Sequence, residues 1–253
     1  MELSEFFKAH LRVAVAFSGG VDSAYLLYAA ASSGTAVRAY YVKSAFQPQF
    51  ELDDARRLAQ QLSVPMTVLT VDVLRCGEVA GNPPDRCYHC KKQIFSAIAA
   101  QALQDGYPVL LDGTNASDDA LDRPGMRALK ELSVLSPLRE CGLTKTELRS
   151  LSKAAGLFTW DKPAYACLAT RIPSGCRITG EKLRCIEQAE NALFAWSFTD
   201  FRVRIVETPG GDTAKLQLPA SQYEKLLANR TAIVRELKQY YRAVTLDLEA
   251  RDE

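Results

Sequence analysis

The fold of this chain turns on Val13-Ala-Val-Ala-Phe-Ser-Gly-Gly-Val-Asp-Ser23. Its first five residues are apolar with no polar alternation, as expected for a strand buried on both faces of a parallel sheet. Ser18-Gly19-Gly20 then turns the chain, and Asp22-Ser-Ala-Tyr-Leu-Leu-Tyr-Ala-Ala reads as a helix. Glycines let the backbone approach a ligand closely, and the free N–H groups of a helix start attract an anion. A strand-to-helix turn of this kind is a phosphate cradle. It is not a Walker A loop, which would end in Gly-Lys-Ser/Thr.

Outward from this stretch, strands and helices alternate. Residues 37–42, 66–71 and 109–113 read as further strands, and 134–136 as a shorter fifth. Residues 51–62 read as a helix with Leu52, Ala55, Leu58, Ala59 and Leu62 on one face. Regular alternation predicts an α/β fold, a doubly wound parallel sheet with ligands at the strands' C-terminal ends. The polar loop that follows residue 113 should therefore border the nucleotide site. Thr144-Lys-Thr-Glu147 is a capping box opening a helix that stops at Gly156. Residues 159–175 form a loop too long and too apolar for a linker. The boundary is placed after it, giving a nucleotide domain at 1–175 and a small α+β domain at 176–253.

Composition narrows the function. The net charge of +1 argues against a broad basic surface for nucleic acid. No charged-then-apolar leader and no bilayer-length apolar run are present, so a cytoplasmic protein without a membrane partner is expected. Seven cysteines there should be reduced thiols, and two histidines leave little room for histidine-based chemistry.

The cysteines group unevenly. Cys87 and Cys90 lie in Asp85-Arg-Cys-Tyr-His-Cys-Lys-Lys92, at the start of a helix for which Asp85 is the expected N-cap. Three apart, they share a face, and a helix start with Lys91 beside it favours the thiolate. A closed zinc site usually brings a second Cys or His pair, and none follows. Cys167, in the loop before the boundary, supplies a third thiol. Three thiolates suit a 4Fe–4S cluster with one iron left open, while zinc completed by Cys176 is the alternative. Cys141 and Cys185 read as packing residues, and Cys76 has no evident role. Arg202 and Arg204 share one side of a strand, which suits a phosphate or carboxylate ligand or a merely solvated sheet face. Asp118, Asp119 and Asp122 read as an ordinary polar loop, or, directly after a strand of a phosphate-binding domain, as residues that orient Mg²⁺ or a loop over the ligand.

Taken together, SGGVDS, NPPDRCYHCKK, DGTNASDD with DRPG, PLRECGLTKTELR, TWDKPAYACLATRIPSG and FRVRI resemble the LarE family. These are ATP-dependent sulfurtransferases of the ATP pyrophosphatase (PP-loop) superfamily that make the nickel-pincer nucleotide of lactate racemase. The resemblance runs from about residue 6 to residue 248. It implies adenylation of a carboxylate of pyridinium biscarboxylic acid mononucleotide, followed by sulfur installation. By the same resemblance Ser18, Gly19, Gly20, Val21, Asp22 and Ser23, with Gly113 and Asn115, would hold ATP, and Asp22 would hold Mg²⁺. Lys91 and Arg171 would serve catalysis, and Arg202 and Arg204 the substrate phosphate. Some family members sacrifice the sulfur of one cysteine. Others carry a sulfide on a three-cysteine 4Fe–4S cluster, and Cys87, Cys90 and Cys167 place this chain with the latter. A sulfide donor and a trimeric or hexameric homo-oligomer are implied as partners. Two departures stand out: Ser174 where the family commonly has an aromatic, and Gln217 where it commonly has an acidic residue. Competing readings are a tRNA thiolase, an amide-forming PP-loop ligase with structural zinc, and a nucleotide sensor that never turns over.

Overall fold

The computed structural model describes residues 2–118 and 124–251. The chain divides into two compact units, Met1–Val79 with Asp85–Lys162, and Ala80–Pro84 with Pro163–Glu253. Residues 163–175, which the sequence reading keeps with the nucleotide domain, thus group with the C-terminal unit.

The elements of the first part of the chain are α1 (Leu3–Ala9), β1 (Arg12–Ala16), α2 (Val21–Ser32), β2 (Ala36–Lys43), α3 (Gln49–Gln61), β3 (Met66–Thr70) and α4 (Gly77–Ala80). Then come α5 (Arg86–Gln104), β4 (Val109–Leu111), α6 (Pro124–Glu131), α7 (Pro137–Glu140) and α8 (Lys145–Ala154). The strands form one parallel sheet in the order β3-β2-β1-β4. Alternation along β1 and β2 divides the core in two. Val13, Val15, Val37, Ala39 and Tyr41 join Phe6, Leu26, Leu27, Leu58 and Leu148 on one face. Ala14, Tyr40 and Val42 join Phe95, Ile98 and Leu129 on the other. Each of the valine, leucine, isoleucine and phenylalanine side chains among them, removed from water, contributes about 1.5–3 kcal/mol. The continuous apolar run at 13–17 is therefore a consequence of cover on both faces.

The order places a topological switch between β1 and β4, because the chain winds outward from β1 to β3 and returns to β1's other edge. Ligand crevices open at the C-terminal ends of strands at such a point. The expected fifth strand is a correction: among the described residues 134–136 forms only a parallel bridge, Leu111 to Leu135. Pro137 follows at the start of α7 and has no N–H with which to extend a ladder.

In the C-terminal unit, α9 (Gly180–Ala195) is followed by β5 (Arg202–Val206), β6 (Thr213–Gln217), α10 (Tyr223–Ala228), α11 (Arg230–Leu237) and β7 (Ala243–Leu246). β5 pairs antiparallel with β6, and β6 parallel with β7. Leu183, Ile186, Ala189 and Leu193 form the buried stripe of α9. Asn82 explains why the short stretch 80–84 belongs here. Its side chain donates to the carbonyls of Ile172 (3.3 Å) and Pro173 (2.8 Å), and its own carbonyl accepts from the Gly175 N–H at 2.8 Å. No helix among the described residues is long and apolar enough to cross a membrane.

Candidate active site

The glycine loop leaves β1 at the switch point. Phe17 continues the ladder, its N–H 2.9 Å from the Tyr40 carbonyl, and the turn follows. Ser18 and Ser23 close the loop on itself: their hydroxyls lie 3.1 Å apart, the Ser18 N–H donates to Ser23 Oγ at 3.3 Å, and that hydroxyl reaches the Gly20 carbonyl at 3.2 Å. Gly19 sits at φ 75°, a left-handed conformation that glycine adopts without strain. Gly20 is the N-cap of α2 and bears no side chain to cover the first-turn N–H groups. Val21 is buried beneath the turn. Gly113, just past β4, comes so close to α2 that a Cβ there would lie 2.9 Å from the Ser23 nitrogen. Two of the expected nucleotide segments therefore meet, and only glycine permits the contact.

Asp22 has a divided environment. Its Oδ2 accepts from Lys145 Nζ at 2.7 Å, whereas its buried Oδ1 has no hydrogen-bond partner. An unpartnered buried carboxylate oxygen demands an explanation, and it fits a divalent-cation ligand, for which hard carboxylate oxygen is the usual donor. The loop after β4 is held from within. Buried Asp112 accepts from Thr114 Oγ1 (2.5 Å) and Ser136 Oγ (2.6 Å). Asn115 Oδ1 accepts from the Ser117 N–H at 2.8 Å, and the Asn115 N–H donates to Asp118 Oδ2 at 3.1 Å. Asp118 is thus a loop staple. Asp119 and Asp122 lie outside the described residues.

Cys87 and Cys90 occupy the first turns of α5, one exposed and one buried. Asp85 stands at the N-cap position, as expected, although its side chain makes no cap bond. Its carboxylate pairs instead with His89 Nε2 at 3.3 Å. Lys91 follows with its stem packed against Gly125 of α6, where a Cβ would come within 2.8 Å of Lys91 Cδ. Cys167 belongs to the C-terminal unit, at the N-cap of the short 3₁₀ turn Leu168–Arg171. Among the described residues, no three His, Cys, Asp or Glu side chains are grouped to hold a metal ion. Cys141, Cys176 and Cys185 are partly buried thiols, each pushed up in pKa first by burial.

The C-terminal unit gathers the remaining predicted residues around Glu190. Arg171 grips that carboxylate bidentately, Nε to Oε1 at 2.9 Å and a terminal nitrogen to Oε2 at 3.0 Å, with both side chains essentially inaccessible. The Val203 N–H (2.9 Å) and the Tyr165 hydroxyl complete its shell. Burial alone would lower the pKa of Arg171, but Glu190 holds it above the usual arginine value. Arg202 donates to the carbonyls of Phe201 (2.7 Å) and Ala164 (2.6 Å), and Arg204 to the Thr170 carbonyl (2.7 Å) and Gln217. A solvated sheet face is therefore wrong for Arg202, which is buried. Burial and then the neighbouring Arg171 and Arg251 push its pKa down to about 10, so it remains a cation at neutral pH.

Asp112, Lys145, Tyr165 and Glu190 were not singled out by sequence. Glu190 carries a signal in retrospect: it lies on the apolar stripe of α9, and a charge at a core position implies a partner.

A parallel sheet carrying an SGGxDS loop at its switch point defines the PP-loop class, and comparison with known proteins agrees. Residues 12–81 match the family described as queuosine biosynthesis protein QueC. The chain is 31% identical over 188 residues to the tRNA-specific 2-thiouridylase MnmA of Salinispora tropica, covering 60% of this chain and 52% of that one. Over nearly its whole length it matches two further proteins. One, from Synechocystis, is uncharacterised and is 34% identical, with 98% of this chain and 92% of the other covered. The second is the pyridinium-3,5-bisthiocarboxylic acid mononucleotide synthase of Lactiplantibacillus plantarum, 32% identical over 94% of this chain and 86% of that protein. The chain is a PP-loop enzyme of the ATP-dependent sulfurtransferase class. Within that class it belongs to the pyridinium-3,5-bisthiocarboxylic acid mononucleotide synthase family.

Proposed function

We propose that this enzyme uses ATP to adenylate a carboxylate of pyridinium-3,5-biscarboxylic acid mononucleotide and then replaces oxygen by sulfur, as a step toward a nickel-pincer nucleotide. The observation that carries the reading is Asp22, held at the mouth of the β1/β4 crevice with one oxygen on Lys145 and the other unpartnered. Around it stands a cradle in which Gly113 leaves no room for a side chain.

In the first step a carboxylate oxygen attacks the α-phosphorus and the bond to the β-phosphate oxygen breaks, releasing pyrophosphate. Carboxylate oxygen is a poor leaving group, and adenylation converts it into part of AMP, a good one. A sulfur nucleophile then attacks the activated carbonyl and AMP departs with that oxygen. Ser18, Gly19, Gly20, Val21, Asp22 and Ser23 bind the ATP phosphates, with Gly113 and Asn115 bordering the nucleotide. Asp22 would hold Mg²⁺, which when bound would supply positive charge to offset that developing on pyrophosphate. Arg202 and Arg204 serve the substrate phosphate with the guanidinium donors left after their carbonyl contacts. Lys91 acts beside the reacting groups, and Arg171, buried on Glu190, serves the reaction by fixing the residues around it.

The sulfur source is proposed to be a 4Fe–4S cluster on Cys87, Cys90 and Cys167. The donor set fits in kind, since thiolates are the usual ligands of such clusters. When bound, the cluster supplies the sulfur. Mechanistically, Cys87 and Cys90 contribute a fixed pair because both sit on the rigid start of one helix. The units divide the work in this reading: the one with the glycine loop, ending at residue 162, activates ATP, and the C-terminal one, from residue 163, binds substrate and assembles copies of the chain in the cytoplasm as a trimer or hexamer.

The test is anaerobic purification followed by metal analysis and visible absorption. About four irons per chain and a brown colour are expected; zinc without colour removes the proposed donor. Replacing Cys87, Cys90 or Cys167 by Ala should each abolish sulfur transfer and leave ATP binding. Mass analysis after incubation with the pyridinium mononucleotide, and separately with bulk tRNA, distinguishes this substrate from that of a tRNA thiolase.

A further inference from the structure

Nothing in the sequence singles out Lys145, yet the fold brings it to Asp22, 123 positions away along the chain. It is the first residue of α8, and its backbone there is fixed twice. Its N–H donates to Ser117 Oγ at 3.0 Å, and the preceding Thr144 shares a reciprocal capping box with Glu147. Only the four-carbon stem is left to move. The ammonium is partly exposed, as is Asp22, with side-chain accessibilities of 34% and 22%. An ion pair this open to solvent adds little to stability, so parting it costs little. A purely structural pair would also satisfy both carboxylate oxygens, whereas Oδ1 of Asp22 is buried without a partner.

From this geometry we infer that Lys145 is a phosphate ligand of the ATP site, exchanged between Asp22 and the β- and γ-phosphates, the pyrophosphate that leaves. The inference rests on the ATP-splitting reading above and extends it to a residue outside the glycine loop. A divalent cation at Asp22 competes with the ammonium for the same carboxylate. The displaced ammonium, a compact and flexible point charge, then turns to the anion that the cation brings with it. Cation and lysine thereby approach the phosphates together, and the lysine returns to Asp22 when the metal and pyrophosphate leave. Lys145 also holds the α8 start to the loop after β4 through Ser117.

The two directions of exchange predict opposite effects of one substitution. In Lys145→Met, inorganic pyrophosphate with Mg²⁺ should bind about 10- to 100-fold more weakly by calorimetry, the loss of a charged hydrogen bond. Mn²⁺ alone, followed by electron paramagnetic resonance, should bind more tightly than to the wild type because its competitor at Asp22 is gone. Adding Asp22→Asn should erase that gain. Lys145→Arg, which keeps the charge, should retain most pyrophosphate affinity and guards against a folding defect in the Met variant. Unchanged pyrophosphate binding in Lys145→Met, or Mn²⁺ binding that does not tighten, overturns the exchange. If the wild type itself fails to bind pyrophosphate with Mg²⁺, the ATP-splitting reading falls as well, and that result is distinct from a defect confined to the variants.

Discussion

The two units treat charge in opposite ways. Around Asp22 the first unit leaves its polar groups half satisfied: one carboxylate oxygen unpartnered, a lysine partly in water, a helix start with no capping side chain. Around Glu190 the C-terminal unit satisfies its charges internally: a bidentate arginine, a tyrosine hydroxyl and a backbone N–H converge on one buried carboxylate. Arg202 and Arg204 are likewise already engaged with carbonyls. Open valence marks a place where a ligand completes the structure. Closed valence marks a place where the structure holds itself, and where a ligand meets rigid, pre-oriented donors.

If the second cluster is structural, breaking it should harm folding most. Glu190→Ala strands Arg171 in a buried setting, and losing one partner of such a pair costs about 3–5 kcal/mol. Denaturant unfolding should show this loss even without substrate. A variant as stable as the wild type would remove the contrast. The opposite outcome is expected at the open site. Asp22→Asn should leave the melting profile nearly intact while lowering AMP formation by about 100- to 1,000-fold, the size seen when one preorganised electrostatic contact is lost. Quantified AMP release with the carboxylate substrate reads it directly.

Gly113→Ala sharpens the same contrast at a smaller scale. The added methyl would meet the Ser23 nitrogen at 2.9 Å, so the β4 loop and the α2 start must part. Such overpacking costs about 1–3 kcal/mol. Its effect should fall mainly on ATP affinity, because the shift is at the cradle; a rise in KM for ATP larger than the fall in kcat is the expected signature.

Much of the first unit could be read from residues 13–23, because an apolar run covered on both faces and a glycine turn are local signals. The capping box at Thr144 was equally local. The fifth strand failed at Pro137, where one missing N–H outweighed the apolar pattern before it. What stayed hidden was tertiary. Lys145 looks like any first-turn lysine until α8 packs against α2, and Asp112 reads as a strand-end residue until Ser136 arrives. In the C-terminal unit Arg202 and Arg204 were visible as a pair, but their burial depends on the loop carrying Ala164 and Thr170. Cys87 and Cys90 are legible as a pair from their spacing on one helix start, whereas Cys167 could be joined to them only by its loop's composition and by resemblance, because it lies in the other unit.

The smallest effect concerns the cap that holds Lys145. The hydroxyl and then the backbone N–H of Thr144 hold the Glu147 carboxyl below the usual glutamate pKa. A group depressed in the folded state adds stability that is complete above its unfolded pKa and disappears as pH falls through its folded one. The α8 start should therefore be indifferent to pH above about 6 and loosen toward pH 3. Glu147→Gln should flatten this dependence, because glutamine can accept the same bonds but does not titrate in that range. Amide hydrogen exchange at residues 145–148, compared across that interval in the two proteins, measures it. If the wild type and Glu147→Gln fray in parallel on acidification, the cap is not what fixes the backbone of Lys145. The ammonium would then reach Asp22 from a mobile helix end, and the open site would be less preorganised than its buried counterpart by more than its charges alone require.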